Sequence, residues 1–83
     1  MVKQRTKGVY KVQTEKINGV WFRGQFLIAL KELEKGGEIT IADFKNGAWE
    51  STSKLQRFID LLNQANITYK RYGSSLRSSV ITK

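Results

Sequence analysis

Two stretches of this chain repeat apolar residues at helical spacing, and together they limit how it can bury a core. QFLIALKELEKGG places Phe26, Ala29, Leu30 and Leu33 three or four positions apart, with Phe22 one turn earlier. STSKLQRFIDLLNQA places Leu55, Phe58, Ile59 and Leu62 in the i, i+3, i+4, i+7 pattern over residues 52–65. With 83 residues and neither cysteine nor histidine, disulfides, thiolate–metal sites and imidazole ligands are excluded. One small core against these two apolar faces must therefore hold the molecule. A chain of this size buries about 60–65% of the surface it exposes when unfolded. Net stability on the order of 4–12 kcal/mol follows.

The segments around these helices read as short strands and turns. Residues 1–7 (MVKQRTK) are polar and basic and are expected to form a mobile arm, leaving 8–83 as one domain. From Gly8, VYKVQT alternates as a short strand, with Val9, Lys11 and Gln13 opposite Tyr10, Val12 and Thr14. Asn18-Gly19 supplies a tight turn, after which VWFR (20–23) reads either as a returning strand or as the approach to the first helix. Gly36-Gly37 stops that helix. Glu38-Ile39-Thr40-Ile41 alternates as a strand with Ile39 and Ile41 on one side. Thr40 and Asp43 have capping-box spacing, which predicts a brief second helix over 41–46 ending at Asn46-Gly47. Ser53 and Gln56 offer a capping box for the long helix, and Asn66 suits its C-terminal cap. ITYKRYGSSLRSSVITK (67–83) then reads as a hairpin turning at Gly73-Ser74-Ser75.

Charge is distributed unevenly. The formal net charge is +8, and residues 1–25 carry +5, residues 26–50 carry −2 and residues 51–83 carry +5. Basic ends flanking an acidic middle suggest a surface aimed at a polyanion. The plainer alternative is that positive charge only keeps a small protein soluble. No apolar h-region follows the basic start, so a secretory signal is not expected. No apolar run is long enough for a membrane span. A soluble, intracellular, cytoplasmic domain is the expectation, associated with the nucleoid where it binds DNA.

From Gln25 onward the order is helix, short strand, short helix, turn, longer helix and two-stranded hairpin. That order resembles the winged helix-turn-helix architecture across about residues 24–82. EITIADF looks like its first strand and second helix, STSKLQRFIDLLNQANI like its recognition helix and exit, and YKRYGSSLRSSVIT like its wing. The turn departs from the tight form, since Gly47 follows Ala42 by five positions and Trp49 stands where a smaller aliphatic residue is usual. The implied fold class is α+β: a small winged helix-turn-helix domain with an N-terminal strand and a C-terminal β-hairpin wing. The resemblance implies double-stranded DNA as partner, with helix 52–65 toward the major groove and the hairpin tip 70–77 on the phosphate backbone. Such domains often pair to read two-fold sites, so a homodimer stays open.

The residues available for this role are of the right kinds. Thr52, Ser53, Lys54, Gln56 and Arg57 fall on the outside of the first two turns of helix 52–65. Arginine grips guanine bidentately, glutamine grips adenine, and first-turn amides and hydroxyls suit phosphate oxygens. Asp60, one turn further on, opposes deep insertion. The alternative is an ordinary solvated face. In the hairpin, Lys70, Arg71, Tyr72, Ser74, Ser75 and Arg77 combine cations, hydroxyls and an aromatic, a set suited to phosphate. The alternative there is a basic edge that discourages strand pairing. Lys3, Arg5 and Lys7, with Lys11, would add nonspecific affinity or enter a minor groove, or form only a tail. Tyr10, Trp21, Phe22 and Trp49 are expected mainly in the core rather than stacked on bases.

Catalysis has little to rest on. There is no Ser/His/Asp or Cys/His set, no glycine-rich phosphate loop and no zinc ligand cluster. A non-enzyme without metal or cofactor is expected. Two other partners fit the composition: single-stranded nucleic acid held by Tyr69, Tyr72, Lys70 and Arg71, or an acidic or nucleic-acid-binding host protein that this chain, as a small phage-like effector, would bind and inhibit.

Overall fold

The computed structural model describes residues 13–83. The basic arm with Lys3, Arg5 and Lys7, Lys11, Tyr10 and most of the strand expected from Gly8 lie outside the described residues.

The first element among the described residues is a hairpin of β1 (Thr14–Ile17) and β2 (Val20–Arg23). VWFR is therefore the returning strand. Asn18 (φ 49°) and Gly19 (φ 82°) both adopt left-handed backbone, which matches a two-residue turn to the twist of its strands. The register sets Glu15 against Phe22 and Ile17 against Val20, with Lys16 against Trp21 on the other face. Phe22 is fully buried, whereas Trp21 is 59% exposed. Strand alternation decides this split: placing Phe22 in the core turns Trp21 outward.

Helix α1 (Gln25–Glu34) buries Leu27, Ala29, Leu30 and Leu33. The expected stripe is displaced at its start, because Leu27 enters the core while Phe26 is only half-buried and Ile28 is 62% exposed. Phe26 instead begins an aromatic row, with ring centroids 5.6 Å from Phe44, which is in turn 5.3 Å from Phe58. The helix ends as its glycines suggest. Gly36 N–H donates to the Leu33 carbonyl and Gly37 N–H to the Glu32 carbonyl, the two bonds that close a left-handed helix end.

The following segment differs most from the expected helix-turn-helix. Ile39 makes an isolated antiparallel bridge to Ile81, with N–H to carbonyl bonds of 2.9 and 2.8 Å in the two directions. The second helix is a single 3-10 turn, Ile41–Asp43. Both bonds of the Thr40–Asp43 capping box form, so the start signal is genuine. Extension fails because residues 44–50 have another use. Lys45–Asn46 (β3) pairs with Trp49–Glu50 (β4) around Gly47-Ala48. The Gln25 carboxamide grips this small hairpin at Lys45, accepting its N–H at 3.1 Å and donating to its carbonyl at 3.2 Å.

Helix α2 (Thr52–Gln64) buries Leu55, Phe58, Ile59, Leu61 and Leu62. Its cap is Ser51, whose hydroxyl accepts from Lys54 N–H, rather than the expected Ser53–Gln56 pair. Asn66 (φ 55°) stands one residue past the C-cap Ala65. Its N–H and that of Ile67 donate to the Asn63 and Leu62 carbonyls. The Asn18 carboxamide adds a 2.8 Å bond to the Ala65 carbonyl, docking the β1–β2 turn on this helix end.

The chain closes with β5 (Lys70–Tyr72) and β6 (Val80–Thr82), paired Lys70↔Thr82, Arg71↔Ile81 and Tyr72↔Val80. The tip is wider than a turn at residues 73–75, because a further turn at 76–78 precedes the return strand. Leu30, Leu33, Ile39, Phe44, Leu55, Phe58, Leu62 and Ile81 share one core. The fold is a small α+β domain of two helices and three antiparallel strand pairs among the described residues. No helix among them is long and apolar enough to cross a membrane.

Candidate functional site

The apolar face of α2 is committed to the core, which turns the opposite face of its first two turns to solvent. Ser53, Lys54, Gln56, Arg57 and Asp60 line an open groove of about 610 Å³, with Phe26 as its apolar wall. Four of the five α2 residues expected to contact DNA thus meet in one concavity. The fifth, Thr52, begins the helix and is half-buried.

The groove is not a row of slack side chains. Lys54 Nζ donates to the Lys45 carbonyl at 2.8 Å, which also accepts from Gln25. This places the ammonium at the junction of α1, the small hairpin and α2. An ammonium has three donors, so two remain for a ligand. Gln56 Nε2 donates to Asp60 Oδ1 at 3.0 Å, leaving its carbonyl and one N–H. Arg57 is exposed. The groove therefore offers two cations, a hydroxyl and a carboxamide against one carboxylate. Such a set suits a phosphate or the edge of a base more than a neutral small molecule.

The 70–77 residues stand apart from this groove. Lys70, Arg71, Tyr72, Ser74, Ser75 and Arg77 are all exposed. Tyr72 is 56% exposed at the end of β5. Two of the six also hold the loop together. Arg71 Nε donates to Ser79 Oγ at 3.1 Å, and that buried hydroxyl donates to the Ser75 carbonyl at 2.6 Å. Ser75 N–H in turn donates to Ser78 Oγ at 3.1 Å. Tyr69, grouped with the hairpin cations for single-strand binding, is half-buried and donates its hydroxyl to Asn63 Oδ1 at 2.9 Å. This bond anchors the hairpin base to α2.

Sequence reasoning missed Trp49 and Trp21. Trp49, expected in the core, is 80% exposed on β4, three residues before α2 begins. All residues of the small hairpin, 45–50, are exposed, so it gives its indole no apolar surface to cover. The local signal was the Asn46-Gly47 dipeptide, which marks a hairpin as readily as a helix end. Lys3, Arg5 and Lys7 lie outside the described residues.

No family model, curated protein or solved structure matches this chain.

Proposed function

We propose that this protein is a small double-stranded DNA-binding domain of winged-helix type, a transcriptional regulator or an accessory factor in replication or recombination. The observation that carries the proposal is the groove on α2, where Ser53, Lys54, Gln56 and Arg57 gather on the outer face of its N-terminal turns. Recognition helices read bases from that part of the helix. The bridge between Ile39 and Ile81 adds support. It sets the segment after α1 beside the terminal hairpin, as a winged-helix sheet requires. In this reading Arg57 and Gln56 address base edges, Lys54 and Ser53 hold phosphate, and Lys70 and Arg77 hold the backbone from the wing. Trp49 extends the contact beside the N-terminus of α2. The 3-10 turn and small hairpin replace the second helix, and Lys45 gives them a fixed attachment to α1 through Gln25.

Fluorescence anisotropy of a labelled random duplex and of its single strand, titrated at two salt concentrations, tests the reading. Duplex binding that weakens steeply with salt is expected. Stronger binding to the single strand would move the contact away from α2. No binding to either would favour an acidic protein partner, and a pull-down would follow.

A further inference from the structure

We propose that the outer face of the β1–β2 hairpin is a stacking site for an unpaired nucleic-acid base, with Trp21 beneath the base and Lys16 and Arg23 on the flanking phosphates. The site shares no residue with the groove on α2 and does not depend on it.

The register defines the face. Lys16 opposes Trp21 and Thr14 opposes Arg23, so all four project from the same side of the ribbon. The other side carries Phe22, which is buried, and Ile17 and Val20, which pack against the core. Glu15, the hairpin's one carboxylate, lies on that inner side and pairs with Lys31 of α1 at 3.0 Å. The outer face therefore combines two cations and an indole, with no carboxylate from the hairpin.

The indole is 59% exposed and Lys16 Nζ lies 5.8 Å from its ring centroid. That contact is at the long end of cation–π attraction, and the lysine can swing to a phosphate as a base takes the ring face. Indole flanked by cations suits single strands, because every base offers a π face and every linkage a charge. An acidic peptide would match the charges but leave the ring without a planar partner. A duplex keeps its bases stacked on each other and gives the indole nothing to cover.

Trp49→Phe in the full chain leaves Trp21 as the sole tryptophan, since the sequence has two. Titrating an oligothymidylate of about ten nucleotides into this protein should quench Trp21 emission saturably. Anisotropy of the labelled oligonucleotide should show Trp21→Ala weakening binding about tenfold or more. The pair Lys16→Gln and Arg23→Gln should flatten the salt dependence by a log–log slope of about 1.4. Arg57→Ala, which alters the α2 groove, should leave the quenching unchanged. Unquenched Trp21 at saturating oligonucleotide, or undiminished affinity in Trp21→Ala, would overturn the proposal. So would loss of the quenching in Arg57→Ala, which would transfer the contact to α2. Circular dichroism of each variant confirms that the comparison is between folded proteins.

Discussion

Arg71 and Ser79 are joined across the terminal hairpin, the guanidinium Nε donating to a serine hydroxyl that is 1% exposed. The hydroxyl donates onward to the Ser75 carbonyl, so one buried oxygen ties both strands to the loop between them. Its donor and acceptor capacity are both used, as burial of a polar group demands. The three cations near the tip consequently differ in kind. Arg71 shapes the loop and offers only its remaining donors outward, whereas Lys70 and Arg77 point to solvent with no such duty.

Ser79→Ala removes the acceptor for Arg71 and the donor for Ser75 in a buried place. A loss of about 1–3 kcal/mol is expected, read as a lower urea midpoint with an unchanged slope. An unaltered midpoint would mean that water replaces the hydroxyl without cost.

Gly73→Ala should be worse than Gly47→Ala, although both glycines have left-handed backbone. Gly73 has φ +106°, and an added Cβ would lie 2.3 Å from the Ser78 carbonyl oxygen, which is backbone and cannot swing away. Gly47 (φ +68°) meets nothing within 4 Å of such a Cβ. Gly47→Ala should therefore cost only the left-handed backbone penalty, about 1–2 kcal/mol, and Gly73→Ala more. Thermal unfolding of the two variants side by side gives the order. Equal melting temperatures would contradict the close approach.

Asn66→Gly is expected to stabilise the protein. Asn66 closes α2 with left-handed backbone, φ 55°, where glycine carries no Cβ penalty. A gain of about 0.5–1 kcal/mol is reasonable, since the added flexibility of the unfolded chain offsets part of the relief. Denaturant titration would detect it as a raised midpoint.

The α2 groove and the hairpin should respond differently to DNA sequence. Arg57→Ala should cost about 1–3 kcal/mol on a favoured site and relax preference at one base step. Lys70→Ala should weaken all duplexes alike and lower the salt slope by about one. Asp60→Asn removes the groove's one carboxylate and should tighten duplex binding. Anisotropy across a small panel of sequences separates these outcomes, and equal losses for Arg57→Ala and Lys70→Ala on every sequence would refute the division of roles.

Interactions between near neighbours make much of the architecture legible in the residues themselves. The stripe Leu55, Phe58, Ile59 and Leu62 allows only one buried face for α2, and all four are buried. That burial, in turn, selects Ser53, Gln56 and Arg57 as the outer face, so the candidate groove is as legible as the helix that carries it. Asn18-Gly19, Gly36-Gly37 and Asn66 mark their turns and helix ends because each supplies a backbone conformation that most residues resist. What stays hidden depends on partners distant in the chain. Thr40 and Asp43 do begin a helical turn, but Gln25 holds Lys45 in a strand twenty residues away from itself, and a local start signal carries no information about that competitor. Phe26 or Leu27 in the core is undecided by spacing alone, because either fits a helical stripe; in the fold Leu27 is buried and Phe26 lies half-buried beside Phe44. Trp21 and Trp49 read as core residues because large rings bury the most area. Whether that area is buried depends on what the rest of the fold places over it. The chain alone determined its helices, its turns and its basic character, since these rest on contacts between residues close in sequence. Tertiary packing decided which aromatic rings face water and which cations bind the protein itself, because those outcomes depend on surfaces that meet only once the chain has folded.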